Sequence, residues 1–102
     1  MSSEVIVVAH IRAAEGKGDA LAALLSEQAG VVRAAERGCA AYRLLRSVRD
    51  PELFTFYEVY EDAAAFEVHR AAPHLATYRE RREREGLVAG PAEVDVFAAV
   101  GD

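Results

Sequence analysis

The stretch EVYEDAAAFEVHRAAPH, Glu58–His74, gathers two of the chain's three histidines with a glutamate and a tyrosine among Val, Ala and Phe. Imidazole suits proton abstraction near neutral pH, with an unperturbed pKa of about 6.5. His69 follows Phe66 by three residues, a helical spacing that turns both to one side. It is either a base or substrate partner, or a structural histidine tying a helix to the sheet through Glu58. Glu58 shares strand parity with Phe54, Phe56 and Tyr60. A carboxylate on so apolar a face needs a partner. The candidates are His69, Arg43 on the neighbouring strand, and a group across a subunit interface. Tyr60 either donates to a substrate oxygen or is a core tyrosine with its hydroxyl at the surface. Tyr57 has the opposite parity and belongs to the other sheet face.

Further polar residues could border the same cavity. His10 alternates with Ile6 and Val8 and either reaches the cavity or is a satisfied core histidine. His74 follows Pro73 at a helix restart, at a pocket mouth or exposed. Tyr78 and Arg79 sit on the last helical piece, where they can close a cavity. The expected catalytic set is therefore His69, Tyr60 and Glu58. The expected binding set is His10, His74, Phe56, Phe66, Arg43, Tyr78 and Arg79. Cys39 has no base near it in sequence and reads as packing. The histidines show no HxxxH or HxH spacing, so no metal site is expected. The absence of GxGxxG, P-loop and GxSxG patterns argues against nucleotide, phosphoryl-transfer and serine-hydrolase roles.

The elements that hold these residues are legible. Glu4–Arg12 is β-branched and reads as a strand. Asp19 is a candidate cap for a helix running to Arg37. On that helix Leu21, Leu24, Leu25, Gln28, Val32 and Ala35 fall near one face, with Glu27, Arg33 and Glu36 elsewhere. Gly38 stands where a left-handed cap residue is expected. Two strands then flank the turn RDPE, the first placing Ala40, Tyr42, Leu44 and Val48 opposite Ala41, Arg43 and Ser47. Asp62 caps a second helix, which Pro73 breaks, and a further piece ends at Gly86. The last strand lies within AEVDVFAAV. The order β-α-β-β-α-β predicts a ferredoxin-like α+β fold with an antiparallel sheet and its helices on one face.

A chain of 102 residues, 52% hydrophobic and 28% charged, is the size and composition of one globular domain, taken as residues 1–102. Its net charge of −5 disfavours nucleic acid as a partner. The run YRERREREG alternates arginine with glutamate and reads as a solvated, ion-paired helix face. One cysteine precludes an intrachain disulfide and fits a reducing compartment. Without a signal-peptide pattern or a spanning segment, the expected location is the cytoplasm, off the membrane. Strands one, three and four carry apolar residues on both faces, yet the helices cover only one. A large open apolar face is rare in monomers, so a homodimer through the open sheet face is expected.

The segment GCAAYRLLRSVRDPELFTFYEVYEDAAAFEVHRAAPHL resembles the antibiotic biosynthesis monooxygenase (ABM) domain family. The likeness rests on Gly38-Cys39, Tyr42, the RDPE turn, Glu58 with an aromatic two residues on, Phe66, His69 and Pro73-His74. It implies a dimeric α+β barrel. It also implies a cofactor-independent monooxygenase acting with O2 on a small aromatic, quinol or polyketide-like substrate. Relatives of this kind include heme-degrading monooxygenases and isomerases of small phosphorylated sugars. The heme degraders depend on an Asn, a Trp and a His, and this chain has no Asn and no Trp; Tyr60 stands where many relatives carry Trp. Alternatives compatible with the resemblance are an isomerase of the same fold and a non-catalytic ligand-binding dimer. Oxidation by O2 without metal or flavin requires an electron-rich substrate that has lost a proton. A base, a donor for the anion and a dry cavity are what such a site must supply.

Overall fold

The computed structural model describes residues 3–101, so Met1, Ser2 and Asp102 of the expected unit lie outside the described residues. The elements are β1 (Val5–Arg12), α1 (Gly18–Ala35), β2 (Cys39–Arg46), β3 (Leu53–Tyr60), α2 (Ala63–Ala71), α3 (Pro73–Arg84) and β4 (Glu93–Phe97). The strands form one antiparallel sheet in the order β2-β3-β1-β4, the ferredoxin-like arrangement. The second helical region divides at Ala72, which is extended (ψ 132°), and Pro73 begins α3, where its missing N–H costs no helical bond.

Strand parity decides which side chains meet the helices. Val7, Ala9 and Ile11 of β1, Tyr42 of β2, and Phe54, Phe56, Glu58 and Tyr60 of β3 are all buried. Leu21, Leu24, Leu25, Ala29 and Val32 of α1 close over that face with Leu75 and Tyr78 of α3. Leu25 is fully enclosed, so its truncation to Ala removes about 2–5 kcal/mol.

The opposite face carries three cross-strand rows. They are Ala41-Val59-Ile6-Phe97, Arg43-Tyr57-Val8-Asp95 and Leu45-Thr55-His10-Glu93. Apolar residues do occupy both sides of the sheet, with Leu45, Tyr57 and Phe97 well exposed. Two expected binding residues, His10 and Arg43, also lie on this open face, because each is one position out of phase with its buried neighbours.

Local differences have simple causes. Asp19 lies inside the first turn of α1, whose N-cap is Lys17, so it acts on the helix dipole rather than as a cap. Val48 belongs to the turn rather than to β2 and is fully exposed. Gly38 has no left-handed backbone; among the described residues positive φ is found at Gly16, Gly86 and Gly101. A Cβ on Gly38 would stand 2.5 Å from Ala65 Cβ, so glycine is needed there to seat α2.

Candidate active site

α2 is positioned from its first turn. The Ala65 N–H donates to Asp62 Oδ1 (2.8 Å), fixing where the helix starts. The Glu61 N–H donates to the Gly38 carbonyl (2.9 Å), tying the start of α2 to the chain leaving α1. Two residues before Gly38, Glu36 ends α1 with an extended backbone (φ −108°, ψ 100°). That turn swings its carboxylate inward, and Glu36 is 8% exposed. Sequence periodicity placed Glu36 outward, but helical periodicity does not extend past the last turn.

His69 returns over β3 from the last turn of α2. Its Nδ1 lies 2.9 Å from Glu36 Oε2 and 3.0 Å from Oε1. A carboxylate accepts, so Nδ1 carries the ring proton and donates it. In the neutral ring Nε2 is then the nitrogen with the open lone pair. Among the described residues it makes no hydrogen bond, and it stands 3.9 Å from Glu58 Oε1. Glu58 in turn accepts from the Tyr60 hydroxyl at 2.6 Å. Burial, partly offset by the Tyr60 hydrogen bond and by His69, holds the Glu58 carboxyl above the usual carboxylate range. Burial and the Glu58 charge push the Tyr60 phenol far up, so it remains a donor.

His69 and Glu58 edge a cavity of about 340 Å³, within the range of small-ligand sites. Its floor is Val7, Ala9 and Ile11 of β1, Phe56 and Glu58 of β3, and Tyr42 of β2. Phe66, His69 and Arg70 of α2 and Leu75, Tyr78, Arg79 and Arg82 of α3 form the roof. One side opens along β4, where Val94 and Val96 are half exposed.

The expected residues separate clearly. His69, Glu58, Phe56, Phe66, Tyr78 and Arg79 border the cavity. Tyr60 is fully enclosed and holds Glu58 rather than facing a ligand. His74 lies outside the cavity lining; its Nδ1 is 3.1 Å from Gln28 Nε2, and its Nε2 comes within 2.8 Å of Glu36 without hydrogen-bond alignment. His10 is on the far face, its Nδ1 2.7 Å from Thr55 Oγ1, so it does not reach the cavity. Arg43 is exposed on that far face and cannot partner Glu58.

Sequence reading missed three site groups. Glu36 is one. Tyr42 is another: it borders the cavity, its ring 4.8 Å from Phe56 and 5.6 Å from His69 between centroids. Its hydroxyl has no hydrogen bond among the described residues, and burial with nearby Glu58 raises its pKa, so it is a protonated donor free for a ligand. The third is Arg82, buried at 9% exposure on the cavity roof. The pattern Leu75, Tyr78, Arg82 on α3 was the available signal for it. Cys39 packs as expected: its Sγ donates to the Ala41 carbonyl, and burial beside Glu36 and Glu58 pushes its thiol up to about 11. Among the described residues no group of three His, Cys, Asp or Glu is arranged to hold a metal ion.

The fold is thus a four-stranded ferredoxin-like sheet roofed by split helices, with an imidazole–carboxylate pair at the edge of a pocket open along β4. The family model for antibiotic biosynthesis monooxygenase matches residues 4–81, and the chain belongs to that family. It is similar to PA3566 from Pseudomonas aeruginosa, at 32% identity over 99% of this chain and 98% of that one, with a TM-score of 0.84. It is likewise similar to Rv0793 from Mycobacterium tuberculosis, at 31% identity over 98% of both chains and a TM-score of 0.85. A Caulobacter crescentus protein whose structure carries the family's name shares the fold at 22% identity, over 98% of this chain and 92% of that one, with a TM-score of 0.88. The search of curated proteins finds no match. Among the described residues no helix is long and apolar enough to cross a membrane.

Proposed function

We propose that this chain is a monooxygenase, a single ABM domain, that oxidises a small planar hydroxyaromatic or quinol with O2 in the central cavity. The observation that carries this reading is His69, whose Nδ1 is held by Glu36 while Nε2, at the cavity edge, makes no hydrogen bond among the described residues. The Glu36 pairing fixes the ring's orientation and the aim of Nε2. His69 removes the proton that makes the substrate electron-rich. Tyr42, still protonated, donates to the resulting oxyanion. The apolar floor of Val7, Ala9, Ile11 and Phe56 lowers the local polarity and strengthens both interactions. The electron-rich carbon then combines with O2, and the hydroperoxide loses water. With anthrone the balance is one anthrone plus one O2 giving one anthraquinone plus one water. The activated substrate supplies the electrons, so this scheme calls on no metal or flavin.

The open sheet face supports a homodimer. Its first row is apolar, and Arg43 lies on the β2 edge while Glu93 and Asp95 lie on the β4 edge. A two-fold axis running along the strands sets each basic edge against the partner's acidic one. Sedimentation is expected to give twice the 11.1 kDa chain mass, and a stable monomer would refute the dimer.

The activity is tested by oxygen electrode with anthrone and a dihydroxynaphthalene as substrates. Uptake matched to quinone formation, and lost in His69→Ala, supports the oxygenase. Turnover without oxygen uptake assigns the same base to an isomerisation instead. Undiminished uptake in His69→Ala removes the residue assignment.

A further inference from the structure

Of the three arginines grouped near the end of α3, two are tied to carboxylates at the surface. Arg81 pairs with Glu27 and Glu85, both at 2.9 Å, and Arg84 with Glu80 at 3.5 Å. Arg82 is the buried one, and among the described residues no carboxylate lies within ion-pair distance of it. Its single side-chain hydrogen bond runs from Nη1 to the Tyr78 hydroxyl at 3.3 Å, and its Nε is buried without an acceptor. The guanidinium also stacks on the Tyr78 ring, 5.2 Å from the centroid. Buried charges are ordinarily paired, so a cavity-lining cation without a counter-ion needs one from elsewhere. Arg79, also on the cavity and without an ion pair among the described residues, adds a second positive charge to this wall.

Chain geometry sets the Arg82 backbone at the end of the cavity away from Val7. Its carbonyl accepts from Leu87 N–H, and the Leu87 carbonyl accepts from Ala14 N–H, which places it beside the Ile11 end of β1. Glu58 pairs with Val7 at the other end. Val7 and Ile11 are four residues apart, about 13 Å along an extended strand.

We infer that the cavity is a two-ended site, in which Arg82 receives a carboxylate on the substrate while the opposite, hydroxylated end meets His69 and Tyr42. This rests on the proposed function and narrows its substrate class to planar hydroxyaromatic acids. A carboxylate suits a guanidinium by charge and by planar geometry. One group then both supplies the missing counter-ion and sets which end of the ring system faces the base.

The test compares 6-hydroxy-2-naphthoate with 2-naphthol, which share the ring and hydroxyl and differ in the carboxylate. Calorimetric titration of the wild-type protein is expected to show the naphthoate binding about tenfold tighter or more. Arg82→Met should bring the two affinities to within about twofold, and Arg82→Lys should restore part of the preference. The unliganded Arg82→Met protein should melt no lower than wild type, because it loses an uncompensated buried charge. Equal wild-type affinities, no binding of the naphthoate, or a preference that survives Arg82→Met each overturn the inference. So does an Arg82→Met protein that is destabilised or dissociates to monomers, since a protein carboxylate would then be the counter-ion. Loss of the oxygenase reading leaves the binding preference standing, and loss of the preference leaves oxygen uptake standing.

Discussion

The two faces of one sheet carry nearly matched sets of polar aromatic residues. On the helix-covered side Tyr42, Tyr60 and Glu58 of the sheet meet His69 of α2; on the open face are His10 and Tyr57 with Thr55. The difference between them is enclosure and connection. His69 is 6% exposed, held by Glu36 and near Glu58, while His10 shares one hydrogen bond with a threonine hydroxyl. A histidine becomes a directed base when a carboxylate fixes one nitrogen and a dry cavity receives the other. Side-chain type alone does not produce that.

The largest expected effect separates the two histidines. Replacing His69 with Ala is expected to lower kcat/KM for anthrone oxidation by about 10²–10⁴-fold, the range for a general base. His10→Ala should stay within about twofold, because its ring lies across the sheet from the cavity. Steady-state oxygen uptake checks both, and similar losses in the two variants would erase the distinction between the faces.

Next comes Glu36, which neither histidine's sequence context reveals. Glu36→Gln keeps the volume but can present an amide N–H to Nδ1, which favours the wrong tautomer. The expected loss in kcat is about 10–100-fold, with little change in KM. Glu36→Ala should also destabilise the fold by about 1–3 kcal/mol, read by urea denaturation, since it strands a buried donor. A variant that keeps full turnover would reduce Glu36 to a structural tie.

The fold was readable because its signals are local. β-branched runs, the Asp62 cap, the Pro73 break and the RDPE turn each act within a few residues, and together they fix element order. Strand parity correctly grouped Phe56, Glu58 and Tyr60. The same parity already set His10 apart from Val7 and Ala9, but which face the helices would cover is a tertiary fact. Glu36 escaped because it sits past the end of periodic structure. Arg82 escaped because arginine and glutamate alternate around it, and the charge run hid the one arginine on the Leu75–Tyr78 face. The role of Tyr60 turned on a bond of 2.6 Å to its own strand neighbour Glu58, which leaves Tyr42 as the cavity phenol without a hydrogen bond among the described residues.

The two tyrosines under the helices give a smaller and sharper contrast. Tyr42→Phe removes the donor facing the cavity and is expected to cost about tenfold or more in kcat, with stability nearly unchanged. Tyr60→Phe removes a buried hydrogen bond to a carboxylate and should cost about 1.5–3 kcal/mol of stability. Its effect on turnover should be the lesser of the two. Parallel measurement of melting and oxygen uptake distinguishes these patterns, and the reverse assignment would return Tyr60 to the ligand.

The smallest effect concerns the charge on Glu58. Burial raises its pKa in the folded protein, so the native state binds a proton more readily than the unfolded chain. The free energy of unfolding therefore falls as pH rises from the ordinary carboxylate range up through the raised native pKa. Glu58→Gln imitates the protonated form and keeps an acceptor for the Tyr60 hydroxyl. Its melting temperature should drop less than that of wild type across the same rise in pH, and above the window it should equal or exceed wild type. All other titrating groups are common to both proteins, so the difference between the two curves isolates Glu58. Tyr60→Phe, which removes the hydrogen bond that holds this pKa down, should move the window to higher pH. Parallel wild-type and Glu58→Gln curves would mean that the carboxylate is as well stabilised in the fold as in water, and that the helix-covered face is less dry than its enclosure indicates.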